Sequence, residues 1–242
     1  MRNQLRRRVK IATVSLVILL STVFALLAYV TWDLIATFDS EPNEPLPSTV
    51  DINSISSLAQ YAEKRVQRWQ DSLFLETYSA NYIITEQEGV LDLTLTDTVY
   101  FRFAGWRDDW LKGAAEKLGF AHLLASIEID VNSRKLTVFN HSQGTGFGFD
   151  APLDVVNWLL KDKELILICD QHGAREFRQT HNENRAGVYA TSTRVGRNWE
   201  VAYGSQPTLT FACVVNLDTG EVSVRENGSD WLEVDNIYDL QQ

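Results

Sequence analysis

The sequence predicts an α+β protein: an N-terminal transmembrane helix followed by two modules, in each of which a helix packs on an antiparallel sheet. A long apolar run follows a basic N-terminus, and beyond it a helical pattern followed by alternating strand patterns occurs twice. We therefore predict a basic cytoplasmic tail, a transmembrane helix, a proline-rich stalk and two α+β modules, with the bounds 1–10, 11–32, 33–50, 51–149 and 150–242.

The apolar run Ile11–Trp32 carries no charged residue and follows five basic residues within residues 1–10. At 1.5 Å per residue the run covers about 33 Å, which is enough to cross the hydrocarbon core of a bilayer. The positive-inside rule then predicts a single-pass protein of the cell membrane with an extracytoplasmic C-terminal domain. A cleaved signal peptide is the alternative, although such signals have a shorter apolar core.

The charge balance is acidic. The chain has 22 basic and 32 acidic residues, for a net charge of −10. Because five of the basic residues lie in the tail, residues 11–242 carry 17 basic against 32 acidic residues, or −15. Such a surface repels phosphate backbones, so we predict no nucleic-acid partner.

Residues 33–50 hold three of the five prolines and little that could be buried, which predicts a semi-extended stalk. In the first module, apolar residues at steps of three and four predict a helix over Asn53–Leu73, capped by Asn53 or Ser54. Alternating residues then predict strands with a turn near Gly89, a short helix at Asp108–Leu118, and a hairpin through Ile129 and Val138.

The second module repeats this order. Asp150 is predicted to cap a helix that ends near Leu160, whereas the run Glu164–His172 fits either a buried strand or a helix ending at Gly173. The segment IDVNSRKLTV matches VNLDTGEVSV at every apolar position, which supports an internal repeat. Four strands are predicted to follow, at Gly187–Val195, Asn198–Tyr203, Thr208–Leu217 and Val222–Arg225.

The stretch Leu153–Arg225 resembles a PepSY domain. The resemblance rests on the acidic turn LKDKE, the strand NWEV and the hairpin VNLDTGEV. It implies two cystatin-like helix-on-sheet repeats, with residues 53–139 as a divergent partner copy. It also implies an extracytoplasmic module that binds or inhibits peptidases, and it brings no catalytic residues.

Cys169 and Cys213 are the two cysteines of the chain, and both lie in apolar sequence. An even count in an oxidising compartment allows a disulfide between them, and two buried thiols are the alternative. Cys169, His172 and His181 have the spacing of metal ligands but lack a clear fourth member. We therefore predict no metal site, no cofactor and no catalytic residue.

Three aromatic residues are candidate contacts to a partner. Trp106 begins the cluster WRDDW, for which burial in the core is the alternative, and Phe147 and Phe149 lie on a glycine-rich connector between the modules. The predicted function is that of a membrane-anchored binding or regulatory module with a protein partner in the cell envelope. A membrane-tethered hydrolase or sugar-binding enzyme with a site between the two modules is the alternative function.

Overall fold

The structure is a computed structural model, and its main feature is one continuous antiparallel sheet of eleven strands. The sheet order is β1-β6-β5-β4-β3-β7-β8-β9-β10-β11, and β2 also pairs with β6. The structure describes residues 2–35, 38–87, 90–108, 112–118, 122–144, 152–153, 161–193, 196–204, 210–227 and 229–236.

The first half of the sheet is formed by β1 (Phe38–Ser40), β2 (Glu44–Pro45), β3 (Phe74–Gln87), β4 (Val90–Trp106), β5 (His122–Asp130) and β6 (Lys135–Gly144). The second half is formed by β7 (Arg185–Thr193), β8 (Gly196–Tyr203), β9 (Phe211–Asn216), β10 (Glu221–Glu226) and β11 (Leu232–Asn236). The helices are α1 (Arg2–Ile35), α2 (Ile55–Gln67), α3 (Lys112–Leu118), α4 (Asp162–Cys169) and α5 (Arg175–His181); a π turn (Asp170–Ala174) joins α4 to α5.

One face of the sheet, the inner face, is apolar because cross-strand partners in an antiparallel sheet point to the same side. A single row of such partners runs from β6 to β11, and all but its last member are buried. Its members are Phe139, Ile127, Phe101, Tyr78, Ala190, Trp199, Val215, Val222 and Asp235.

The neighbouring row faces the opposite side and is polar throughout, so this face has the composition of a solvated surface. The polar row consists of Asn140, Ser126, Arg102, Thr77, Thr191, Asn198 and Asn216.

The helices pack on the inner face. The α2 residue Arg65 lies over the Phe139 ring, and the α4 residue Asp162 accepts a hydrogen bond from Tyr78.

The predicted fold class, with two separate PepSY-like helix-on-sheet modules, is wrong. Strand β3 of the first half pairs with β7 of the second, from Thr77 opposite Thr191 to Ile83 opposite Arg185. The pairing removes the free edge that each separate module would expose. The protein is therefore dominated by one large antiparallel sheet with a thin layer of helices.

The predicted transmembrane helix at residues 11–32 is also contradicted. In the part of the chain that the structure describes, no helix has both the length and the apolar character needed to cross a bilayer. This corrects the predicted single-pass anchor and the predicted cell-membrane localisation with an extracytoplasmic domain.

Where a stalk was predicted, the chain adds β1 and β2 to the edge of the sheet beside β6. Leu46 and Val50 are buried there, so this segment is part of the folded body. The following helix α2 begins where the Ser54 hydroxyl accepts a hydrogen bond from the backbone amide of Ser57, which is the usual N-cap interaction. Its buried stripe is Ile55, Leu58, Ala59, Ala62 and Val66.

Candidate functional site

The candidate site is a cleft at the end of the sheet that is formed by β9, β10 and β11. The π turn between α4 and α5 packs on β9. Beyond that point, an open cleft of about 760 Å³ lies between the π turn, α5 and the last strands. We call it the His172 cleft; its lining includes His172, Glu176, Phe177, Phe211, Glu226 and Leu232.

The π turn is the unusual backbone feature beside this cleft. Gly173 has a φ of +106°, in the left-handed region, although the chain is helical on both sides of it. A Cβ atom at this position would lie 3.4 Å from the Phe211 ring and would strain the backbone. Glycine adopts this left-handed conformation without strain, so Gly173 allows the chain to bend between the two helices directly beside the cleft.

A disulfide joins Cys169, directly before the π turn, to Cys213 on β9. Their Cα atoms are 5.8 Å apart, within the usual range for a disulfide. Of residues 164–172, which fit either a strand or a helix in the sequence, residues 164–169 form the second part of α4 and residues 170–172 begin the π turn. The bond therefore attaches the start of the π turn covalently to the floor of the sheet.

A buried ion pair connects the two ends of the same turn. The Arg178 guanidinium donates hydrogen bonds to both carboxylate oxygens of Asp170, with Nε–Oδ1 3.3 Å and Nη2–Oδ2 2.5 Å. The two side chains are only 8% and 2% exposed. Burial raises the pKa of Asp170, and Arg178 acts in the opposite direction. The pair thus fixes α5 relative to α4 across the glycine.

His172 is held by the edge strand of the sheet. Its Nε2 atom lies 3.1 Å from Oδ2 of Asp235 on β11, and both side chains are partly buried. Asp235 is the last member of the inner-face row, opposite Val222. This contact joins the π turn to β11 across the back of the cleft, and a carboxylate in this position orients an imidazole ring.

The chemistry of the cleft combines an aromatic floor with an acidic rim. The rings of Phe177 and Phe211 lie 5.8 Å apart between centroids, and both side chains are buried. Glu176 and Glu226 are exposed at the rim. Aromatic rings and carboxylates together favour a cationic group carried on an apolar stem, such as a lysine or arginine side chain.

A second buried carboxylate fixes the start of α4. Asp162 accepts a hydrogen bond from the Tyr78 hydroxyl at 2.6 Å and another from the Tyr82 hydroxyl, and Trp199 Nε1 donates to the Tyr78 oxygen at 2.8 Å. Burial raises the pKa of Asp162, while the two tyrosine hydroxyls act in the opposite direction. Burial also raises the pKa of Tyr78 and of Tyr82, so both remain donors at neutral pH.

The raised pKa of Asp162 predicts a pH-dependent stability. A folded state that holds a proton more tightly than the unfolded chain loses stability as the pH rises, from about 4 upward through the folded-state pKa. The variant Asp162→Asn cannot titrate there. We expect the free energy of unfolding of the natural chain to fall relative to this variant between pH 4 and pH 8, measured by urea denaturation. A difference that stays constant over this range would contradict the prediction.

Of the residues predicted to contact a partner, Trp106 is the last residue of β4 and is 48% exposed. Its ring packs edge-on against His122, with the centroids 5.7 Å apart, and it does not line the His172 cleft. Phe147 and Phe149 lie outside the described residues. The structure therefore describes one of these three aromatic residues, Trp106, and places it away from the cleft.

The groups that shape the cleft do not stand out in the sequence. Asp170 and Arg178 are eight residues apart, a spacing that signals a pair only within one unbroken helix, and the non-helical Gly173 lies between them. No comparable signal connects His172 with Asp235, because the two residues meet only through the packing of the π turn on the sheet.

Comparisons with known proteins leave the chain without an assigned family. No protein-family model matches the chain, and no curated protein matches it. Among solved structures, the chain is similar to an acyl-ACP thioesterase from Bacteroides thetaiotaomicron at 9% identity, covering 83% of this chain and 95% of that chain, with a TM-score of 0.22. A TM-score this low supports no conclusion on fold or function, and the resemblance of residues 153–225 to a PepSY domain stays a prediction.

Proposed function

We propose that this chain is a binding module that holds a basic, partly apolar segment of another protein in the His172 cleft. One observation carries the proposal. In the part of the chain that the structure describes, the apolar inner face of the sheet continues onto β10 and β11, where apolar side chains line the open His172 cleft. A sheet face with apolar residues is stable when another element covers it, so this region provides a place for a partner.

The apolar side chains become progressively more exposed along this open face. Val222 is buried and Val224 is partly buried, whereas Leu232, opposite Val224 on β11, is 64% exposed. Trp231 and Val234 beside it are also exposed. Aromatic and aliphatic side chains of this kind are frequent anchors in protein interfaces.

The charges around the cleft indicate the chemistry of the partner. Glu176 and Glu226 lie at the rim, and Asp230 and Glu233 are exposed beside the apolar residues of β11. Arg225, the cation within the cleft lining, is already engaged with the Trp231 ring at 4.4 Å and with Glu200. A basic segment complements this distribution, and its attraction decreases with added salt. The PepSY resemblance implies a peptidase as one class of partner.

The test uses the full chain and two labelled peptides of equal length, one with alternating leucine and lysine and one with alternating leucine and glutamate. We expect the basic peptide to bind and the acidic peptide not to bind, as measured by fluorescence anisotropy. The double variant Glu176→Lys/Glu226→Lys should bind the basic peptide at least about tenfold more weakly, because two attractive charges become repulsive. Binding should also weaken as salt is added.

The matched control is Glu116→Lys, an exposed charge reversal on α3, which should leave the affinity unchanged. Equal affinity of the double variant and the natural chain would overturn the proposal. Concentration-dependent dimerisation that is abolished by Leu232→Glu would overturn it as well, because a second copy of the chain would then occupy the open face.

A hydrolase is the second candidate, and the contact between His172 and Asp235 is the observation that favours it. An imidazole oriented by a carboxylate is the arrangement of a general base. Turnover of an ester or peptide substrate by the natural chain, and its loss in His172→Gln, would support this function. The same result without peptide binding would replace the binding module as the proposed function.

A further inference from the structure

A second pocket lies far from the His172 cleft, on the first half of the sheet. It is formed by α2 and by the segment around Pro47–Val50 that follows β2, and its volume is about 380 Å³. This volume lies within the range of pockets that hold small organic ligands. We call it the α2 pocket; the residues that matter are Thr49, Ser57, Tyr61, Lys64, Arg65 and Arg68.

The α2 pocket concentrates positive charge in an acidic chain. Lys64, Arg65 and Arg68 line it, although the chain as a whole carries a net charge of −10. Glu44 balances part of this charge, because its carboxylate lies 3.5 Å from Nη2 of Arg65. The remaining excess of positive charge favours an anion in this pocket.

Arg65 is held in place before any ligand arrives. Its guanidinium lies over the Phe139 ring, 4.8 Å from the centroid, so its plane is fixed by packing. Its Nε atom is buried and has no hydrogen-bond partner among the described residues. Because Nε is buried, the terminal nitrogens of this guanidinium are the donors for a ligand, and their fixed plane is suited to an oxyanion such as a phosphate or carboxylate group.

The opposite wall of the pocket is also fixed. The backbone amide of Leu46 donates to the Arg134 carbonyl at 2.8 Å, the Arg134 guanidinium donates to the Val50 carbonyl at 3.2 Å, and the Asp51 amide donates to the Ser57 hydroxyl at 2.9 Å. The first two bonds join the wall to Arg134, and the third joins it to Ser57 of α2. Because a pocket that is already ordered needs no rearrangement, the free-energy cost of binding a ligand there is smaller.

Helix electrostatics explain part of this arrangement. Lys64, Arg65 and Arg68 lie at the C-terminal end of α2, where cations compensate the helix dipole. The dipole does not explain the second wall, or the hydroxyl groups of Thr49, Ser57 and Tyr61 in the same pocket. Burial and then Glu44 raise the pKa of Tyr61, so its phenol remains a donor at neutral pH.

We infer that the α2 pocket binds a small organic phosphate, with Arg65 and Arg68 as the principal partners of its phosphate group. The hydroxyl groups on the pocket wall serve the organic part. Lys64 contributes its charge at the rim, where its side chain is exposed. This site is separate from the proposed function, because no residue of the α2 pocket lines the His172 cleft.

The test is isothermal titration calorimetry of the full chain at fixed ionic strength. We expect glycerol 2-phosphate to bind, inorganic phosphate to bind more weakly, and glycerol not to bind. In Arg68→Gln the affinity should fall about tenfold, as expected for the loss of one charge-assisted hydrogen bond. Arg68 is exposed, so this variant should fold, and circular dichroism provides the check.

The matched control is Lys163→Gln, which removes an exposed positive charge on α4 outside the pocket and should leave the affinity unchanged. The same affinity for glycerol 2-phosphate in Arg68→Gln and in the natural chain would overturn the inference. Equal affinity for inorganic phosphate and glycerol 2-phosphate would overturn the assignment of an organic ligand.

Discussion

Replacing Arg178 by methionine is expected to lower the free energy of unfolding by about 3–5 kcal/mol, the usual cost of removing one partner from a buried ion pair. The change leaves the Asp170 carboxylate buried beside the π turn without the Arg178 guanidinium, which donates two hydrogen bonds to it and balances its charge. Urea denaturation at pH 7 measures the loss. The His172 cleft should lose its binding activity as well, because α5 is no longer fixed relative to α4.

The loss of stability in Arg178→Met should depend on pH. Without Arg178, the pKa of Asp170 in the folded state rises further, since burial already raises it. The carboxyl group of the variant can then be protonated at low pH, so the destabilisation should be smaller at pH 4 than at pH 8. A larger loss at pH 4 would contradict this account.

Arg175 provides the matched control. Its Nε atom lies 3.8 Å from the same Asp170 carboxylate, but its side chain is 45% exposed. Because exposed ion pairs contribute little, Arg175→Met should cost no more than about 1 kcal/mol. Equal losses in the two variants would show that proximity to Asp170 matters more than burial, contrary to our interpretation.

Removing the disulfide with the double variant Cys169→Ala/Cys213→Ala is expected to cost about 4 kcal/mol. The estimate is the loop entropy of a cross-link that spans a sequence separation of 44 residues. The free energy of unfolding of the variant should equal that of the natural chain in excess reductant. If these two free energies differ by more than about 1 kcal/mol, the lost packing of the sulfur atoms contributes to the destabilisation in addition to the loop entropy.

Reductant itself supplies the control for this prediction. Adding reductant to the double variant should leave its free energy of unfolding unchanged, because the chain contains no cysteine besides Cys169 and Cys213. If the natural chain unfolds at the same urea concentration with and without reductant, the bond does not contribute to stability in solution. That result would contradict the expected loss.

Local elements were predictable from the sequence because their residues repeat at short range. The helix expected at Asn53–Leu73 forms over Ile55–Gln67, with Ser54 as its cap. The hairpin that turns after Asp130 pairs β5 with β6. In both cases periodicity and turn residues lie within a few positions of one another, so a single pass along the chain detects them.

The arrangement of the whole sheet could not be predicted in this way. The pairing of β3 with β7 joins residues such as Ser79 and Tyr189, and alternation within either strand is the same whether or not they meet. The alternation of apolar and polar residues also does not reveal that Asp162 is buried among tyrosines, because an aspartate is normally expected on the surface. The His172 cleft depends on both of these features.

The junction between β3 and β7 also sets an order of events while the ribosome makes the chain. Thr77 and Thr191, which meet across this junction, are separated by 114 residues. At a synthesis rate of about 5–20 residues per second, the outer edge of β3 waits roughly 6–23 s for its partner strand to emerge. During that interval the nascent chain presents an unpaired strand edge, the surface by which neighbouring copies on a polysome could associate.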